Sequence, residues 1–122
     1  MWLFTRYGFF SAVCARRGDG RHGQPVDADR MMIRARDRRH LQALIDRFPE
    51  QLGNAEILEN TGTDYRFRLF VSKSVWVGVV SQLAEETDYD NFKSAVGRHL
   101  GADGSDYIHA LHSVWSTMYK LQ

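Results

Sequence analysis

Four arginines alternate with other residues in two short segments: Arg34 and Arg36 in RMMIRAR (30–36), and Arg66 and Arg68 in YRFRLFV (65–71). In extended backbone, side chains two apart point to the same face. Each segment therefore presents two guanidiniums side by side. If the two strands are neighbours, four guanidiniums and Phe70 share one surface. Guanidiniums grip phosphate and carboxylate through paired N–H groups. Arginines and aromatics on an open four-stranded sheet are also how one common RNA-binding module stacks bases. The chemistry expected of this face is recognition of an anionic ligand, RNA included. A solvated or ion-paired strand face produces the same alternation.

A second set joins Asp64, in Gly62-Thr63-Asp64-Tyr65, to Asp88, Asp90 and Lys93 in DYDNFK (88–93). Carboxylates beside a cation can pass protons or hold a hard cation. The D-x-D-N spacing opens like a calcium loop but lacks the later glycine and the final Glu. Asp at a turn and at a helix start also serves capping. This set defines the enzyme alternative: a cleft near the 62–66 turn and the 88–93 segment, using Asp64, Asp88 and Lys93. His109 and His112 are three apart and need a third ligand, such as Asp106 or His99, to hold a metal. There is no H-E-x-x-H and no cysteine pair, so no metal or other cofactor is expected. The run Gly18–Gly23 is glycine-rich but does not open a helix, and no Walker loop or dinucleotide fingerprint occurs.

The elements that must carry these residues follow from periodicity. Residues 2–15 are aromatic and β-branched, with Gly8 in the middle. They read as one long strand bulged at Gly8, or as two short strands. Phe10, Ala12 and Cys14 share one face; Phe9, Ser11 and Val13 share the other. Residues 16–29 hold three glycines and a proline and read as a mobile loop. A strand over 30–36 ends at Asp37, an N-cap for a helix carrying Leu41, Leu44, Ile45 and Phe48 and stopping before Pro49. Residues 55–60 and 65–71 read as two strands joined by the 61–64 turn. Ser72 or Ser74 caps a helix with Trp76, Val79 and Leu83. Asp88 or Asp90 opens another, closed by Gly101. Ser105 opens a last helix striped with Ile108, Leu111, Trp115 and Met118, and Trp76 and Trp115 are expected in the core.

The expected fold is thus α+β over residues 1–122 as a single domain. Its sheet is ferredoxin-like, four-stranded and antiparallel (order β-β-α-β-β-α), with two additional C-terminal helices.

Several segments run from the N-terminus to the last helix: WLFT (2–5), GFFS (8–11), IRAR (33–36), GTDY (62–65), DYDNFK (88–93) and Val114-Trp115 with Met118-Tyr119. Together they resemble a family of small uncharacterised bacterial proteins. The longer glycine-rich 16–29 segment and the late histidines depart from that pattern. The resemblance implies a complete, free-standing bacterial protein and brings no catalytic residues with it.

Composition narrows the partners. Sixteen Lys plus Arg against 15 Asp plus Glu leave a formal net charge of +1. Bulk attraction to nucleic acid or anionic lipid is excluded, and only a local patch could supply it. Cys14 is the only cysteine, so no intrachain disulfide forms; this suits a reducing cytosol, with Cys14 a small buried hydrophobe. No apolar run approaches the roughly 20 residues of a membrane span. The expectation is a cytoplasmic binding or interaction module for an anionic ligand or RNA, without membrane contact. Beside the enzyme alternative stands a homo-oligomeric structural protein with no ligand, associating through sheet edges, Trp2 or the last helix.

Overall fold

The structure is a computed structural model and describes all 122 residues. The chain divides into two compact units. Unit 1 comprises Met1–Phe4 and Gly8–Thr87, and unit 2 comprises Thr5–Tyr7 and Asp88–Gln122.

Unit 1 carries the sheet. In chain order its elements are β1 (Trp2–Thr5, the last residue of which falls in unit 2), β2 (Gly8–Arg16), β3 (Val26–Ala35), α1 (Arg38–Arg47), α2 (Pro49–Leu52), β4 (Leu58–Glu59), β5 (Phe67–Ser72) and α3 (Lys73–Glu85). The strands form one sheet in the order β1-β2-β3-β5-β4. The pairs β2/β3, β3/β5 and β4/β5 are antiparallel. The α+β class and the antiparallel sheet agree with expectation. The four-stranded ferredoxin-like arrangement does not: there are five strands, and three precede the first helix.

The physical reason lies at Gly8. A turn at Arg6–Tyr7 breaks the aromatic run, and Gly8 follows it with φ +147°. The run folds back as two strands, and Met1 and Ala12 exchange backbone hydrogen bonds of 3.0 and 2.9 Å. The segment 16–29 is also shorter as a connection than expected. Ala15 pairs with Asp27 and Arg16 with Val26, past a register shift between Cys14 and Ala15. The connection itself is 17–25, closed by Arg17 N–H donating to Pro25 O at 2.8 Å. The strand expected over 55–60 shrinks to Leu58–Glu59.

One sheet face is covered by α1 and α3. Phe10, Ala12, Ile33, Ala35 and Leu69 are buried there, with Leu41 and Leu44 of α1 and Trp76 and Val79 of α3. Burying a side chain such as Ile33 stabilises the fold by about 1.5–3 kcal/mol. Asp37 caps α1 as expected, accepting from Arg39 N at 2.8 Å. Ser72 caps α3, accepting from Val75 N at 3.3 Å.

His40, on α1, meets the Phe10 ring edge-on at 6.4 Å and accepts from Phe9 N–H through Nδ1 at 3.4 Å. Burial is the largest influence and pushes its pKa below 6.5; Asp37 pulls the other way. A histidine held neutral in the fold leaves the unfolded chain binding more protons near pH 6.5. Its stability contribution is therefore complete above that pH and lost as pH falls toward the depressed folded value. Urea unfolding at about pH 7.5 and about pH 5.5 should show the wild type losing more stability on acidification than His40→Gln. Equal losses would mean that His40 is not the titrating group.

Unit 2 holds α4 (Phe92–Leu100), a 3₁₀ turn (Gly101–Gly104) and α5 (Ser105–Tyr119). The cap of α4 is Asn91, accepting from Ser94 N at 3.0 Å, rather than Asp88 or Asp90. Asp88 instead pairs with Arg6 at 2.9 Å. Gly101 ends α4 at φ +58°, the left-handed conformation that favours glycine. Tyr107 donates to Thr5 O at 2.9 Å, and burial raises its hydroxyl pKa. Leu111 is buried, but the stripe does not stay in the core. Trp115 is 56% exposed, corrected from a core residue, and stacks on Tyr119 at 5.3 Å. No helix is long and apolar enough to cross a membrane.

Candidate functional site

The sheet face opposite α1 and α3 carries the arginines. β3 and β5 are neighbours, and Arg34 lies directly across from Arg68 in the ladder. Ser11 of β2 faces Arg34 from the other side. One row across three strands is therefore Ser11–Arg34–Arg68. The next row is Val13–Met32–Phe70. Two residues of strand separate the rows, about 7 Å.

Both central guanidiniums are half-buried. Arg34 donates through Nη2 to Ser11 Oγ at 2.7 Å. Arg68 donates through Nη2 to Thr63 Oγ1 at 2.5 Å and to Tyr65 O at 2.8 Å. The Nε atoms of both are buried and have no hydrogen-bond partner. Neither arginine forms an ion pair. Arg68 is held below the ordinary arginine pKa, first by burial and then by the Arg34 charge, with Asp64 opposing. It remains a cation, because guanidinium does not deprotonate in proteins. Like charges directly opposite one another on a sheet destabilise it. Two cations at paired strand positions, neither in an ion pair, form a concentrated positive site.

Tyr65 lies against the same place. It precedes β5 and so escapes the strand's alternation. Its ring takes the guanidiniums of Arg34 at 4.6 Å and Arg36 at 4.9 Å. Tyr65 is 3% exposed, and its hydroxyl is buried without a partner. Three unpartnered buried polar atoms thus cluster around one arginine pair. Unpaired polar groups in a fold carry a desolvation cost of about 1–3 kcal/mol each.

No family model, curated protein or solved structure matches this chain. The site must be read from its own geometry. A cleft of about 890 Å³ lies over the arginine row, lined entirely by unit 1. Its floor includes Arg34, Arg68, Met32 and Phe70, and its wall includes Gly18–Arg21 of the 17–25 connection. Arg30 joins it, its guanidinium 4.4 Å from the Phe70 ring centre. Cys14 lines it too, half-buried rather than fully buried.

The other expected residues divide. Arg36 donates through Nε to Asp64 O at 3.3 Å and stays exposed. Arg66 leaves the group: it precedes β5, pairs with Glu59 at 2.5 Å and lies over Phe67. Asp64 belongs to unit 1, whereas Asp88 and Lys93 belong to unit 2. Lys93 sits 3.3 Å from His112 Nδ1 and 5.1 Å from the Trp115 ring centre, and Asp88 pairs with Arg6. No group of three His, Cys, Asp or Glu side chains is arranged to hold a metal ion. Sequence reading missed Ser11, Thr63, Tyr65 and Arg30 as site residues. Arg30 had a signal, since 30, 32, 34 and 36 share one strand face. Thr63 and Tyr65 had none, because turn residues follow no period.

Proposed function

We propose that the chain is a binding module that takes an anionic group, a phosphate or carboxylate, between Arg34 and Arg68 on the open sheet face. The observation that supports this is the pair itself: two half-buried arginines stand opposite one another in the ladder, neither in an ion pair and both with Nε donors unused. An arriving anion offers acceptors to both and converts repulsion into two attractions. Ser11 and Thr63 hold one nitrogen of each arginine and fix the forks in place. Catalysis is a weaker reading, because Asp88 pairs with Arg6 and Lys93 lies against His112 and Trp115.

Thermal unfolding in inorganic phosphate tests the proposal. A ligand bound only by the folded state adds RT ln(1 + [L]/Kd) of stability. Tm should rise with phosphate concentration at matched ionic strength, and Arg34→Glu should remove that rise. An equal rise in Arg34→Glu would place the anion elsewhere and sink the proposal.

A further inference from the structure

Resting on the anion site just proposed, we infer that the cleft takes a small amphiphilic anion: one charged head with a flat aromatic body attached. The arginine row alone would suit a bare ion. The row beside it does not. Val13, Met32 and Phe70 lie next to one another across β2, β3 and β5, half-exposed on the floor of the same cleft. Apolar side chains two residues along from the guanidiniums place a hydrophobic strip about 7 Å from the charged grip. A head group and an adjoining ring span that distance.

The strip is built for a flat partner. Arg30 covers part of the Phe70 ring at 4.4 Å, and the Met32 thioether, 3.9 Å from Arg68 Nη1, lies between the two rows. Thioether and ring surfaces both attract aromatic groups. The size is that of a small molecule, since a cleft of about 890 Å³ falls within the range of ligand pockets. A polymer is disfavoured by the wall. The 17–25 connection lines the cleft with Asp19 and Arg21, and the Asp19 carboxylate accepts from Arg21 N at 3.0 Å and lies 3.4 Å from Arg21 Nε. A phosphate backbone running on past the arginines would approach that acid. Single-strand readers use a continuous positive groove instead.

Calorimetric titration of the intact chain with inorganic phosphate, phenyl phosphate, benzoate and a short single-stranded oligonucleotide tests the inference. Phenyl phosphate should bind roughly tenfold or more tightly than phosphate, the gain expected of one stacked ring. Phe70→Leu, which keeps apolar volume but no ring, should lose most of that gain and keep the affinity for phosphate. Phe70→Ala should behave likewise if it remains folded by circular dichroism. Benzoate against phenyl phosphate identifies which head group the forks prefer, and either preference supports an aromatic anion. Equal binding of phosphate and phenyl phosphate would overturn the inference while leaving the anion site standing. An oligonucleotide that binds more tightly than phenyl phosphate would overturn it in favour of a polymer. Absence of phosphate binding would overturn the anion site itself.

Discussion

Gly8→Ala should cost about 2–5 kcal/mol of folding stability, the largest effect expected of any methyl-sized change in this chain. Two separate penalties meet there. The backbone stands at φ +147°, a conformation that side-chain-bearing residues rarely adopt. A Cβ at this position would also lie 2.2 Å from His40 Cγ and 2.5 Å from His40 Cβ. The nearest atoms are the root of the imidazole on α1, not the end of a flexible chain, so they cannot swing aside. Relief requires the β2 backbone to move away from α1, which opens the packing around Phe10. Gly20→Ala is the control, because Gly20 has φ +76° but nothing within 4 Å of the added methyl. That variant should lose only the backbone share, about 1 kcal/mol. Urea unfolding of both variants separates strain from overlap. A Gly8→Ala loss no greater than that of Gly20→Ala would mean that the approach to His40 imposes nothing.

The same position explains where sequence reading of the fold stopped. Alternation located β3 and β5, and capping chemistry located α1 at Asp37 and α3 at Ser72, because these signals are local. Whether residues 2–15 form one strand or two depends on a close approach between Gly8 and a helix some 30 residues later, which no window of sequence displays. The five-stranded order follows from that single turn. The cap of α4 failed for a different reason. Asp88, Asp90 and Asn91 are all good cap residues, and the choice fell to Asn91 while Asp88 was drawn to Arg6. Trp115 failed for a third: its spacing marks an apolar helix face, but spacing does not say that anything covers it.

Within the site, the register did what periodicity could only suggest. Arg34 and Arg68 were legible as residues two apart from other arginines. Their becoming a facing pair depends on β3 and β5 being adjacent and aligned at that residue. Arg66 carries the same sequence signal as Arg68 and ends at the sheet edge against Glu59. The difference is two residues of position: Arg66 lies before the ladder begins, where Glu59 of β4 is within reach. Arg68 lies inside it, opposite another cation.

That contrast leads to the second large effect, which has opposite signs in two measurements. Arg68→Met should weaken phosphate binding roughly tenfold to hundredfold, the worth of a charge-assisted contact of about 1.5–3 kcal/mol. The same substitution should stabilise the free protein by about 0.5–1.5 kcal/mol, by removing a cation from opposite Arg34 and a buried donor that has no partner. Little is lost in exchange. Thr63 Oγ1 still donates to Tyr65 O at 2.7 Å, so that carbonyl stays satisfied, and a methionine extends the apolar surface of Met32 and Phe70. Arg66→Met should leave phosphate binding nearly unchanged, because that guanidinium is already engaged by Glu59. Salt supplies an independent check. Screening weakens repulsion between partly exposed charges, so wild-type stability should rise with ionic strength more steeply than that of Arg68→Met. Stability kept in reserve for a ligand behaves this way, since groups arranged to meet an anion repel one another until it arrives. A destabilised Arg68→Met would show that Arg68 is a structural residue whose contacts to Thr63 and Tyr65 hold the turn, and the facing pair would then be no receptor for an anion.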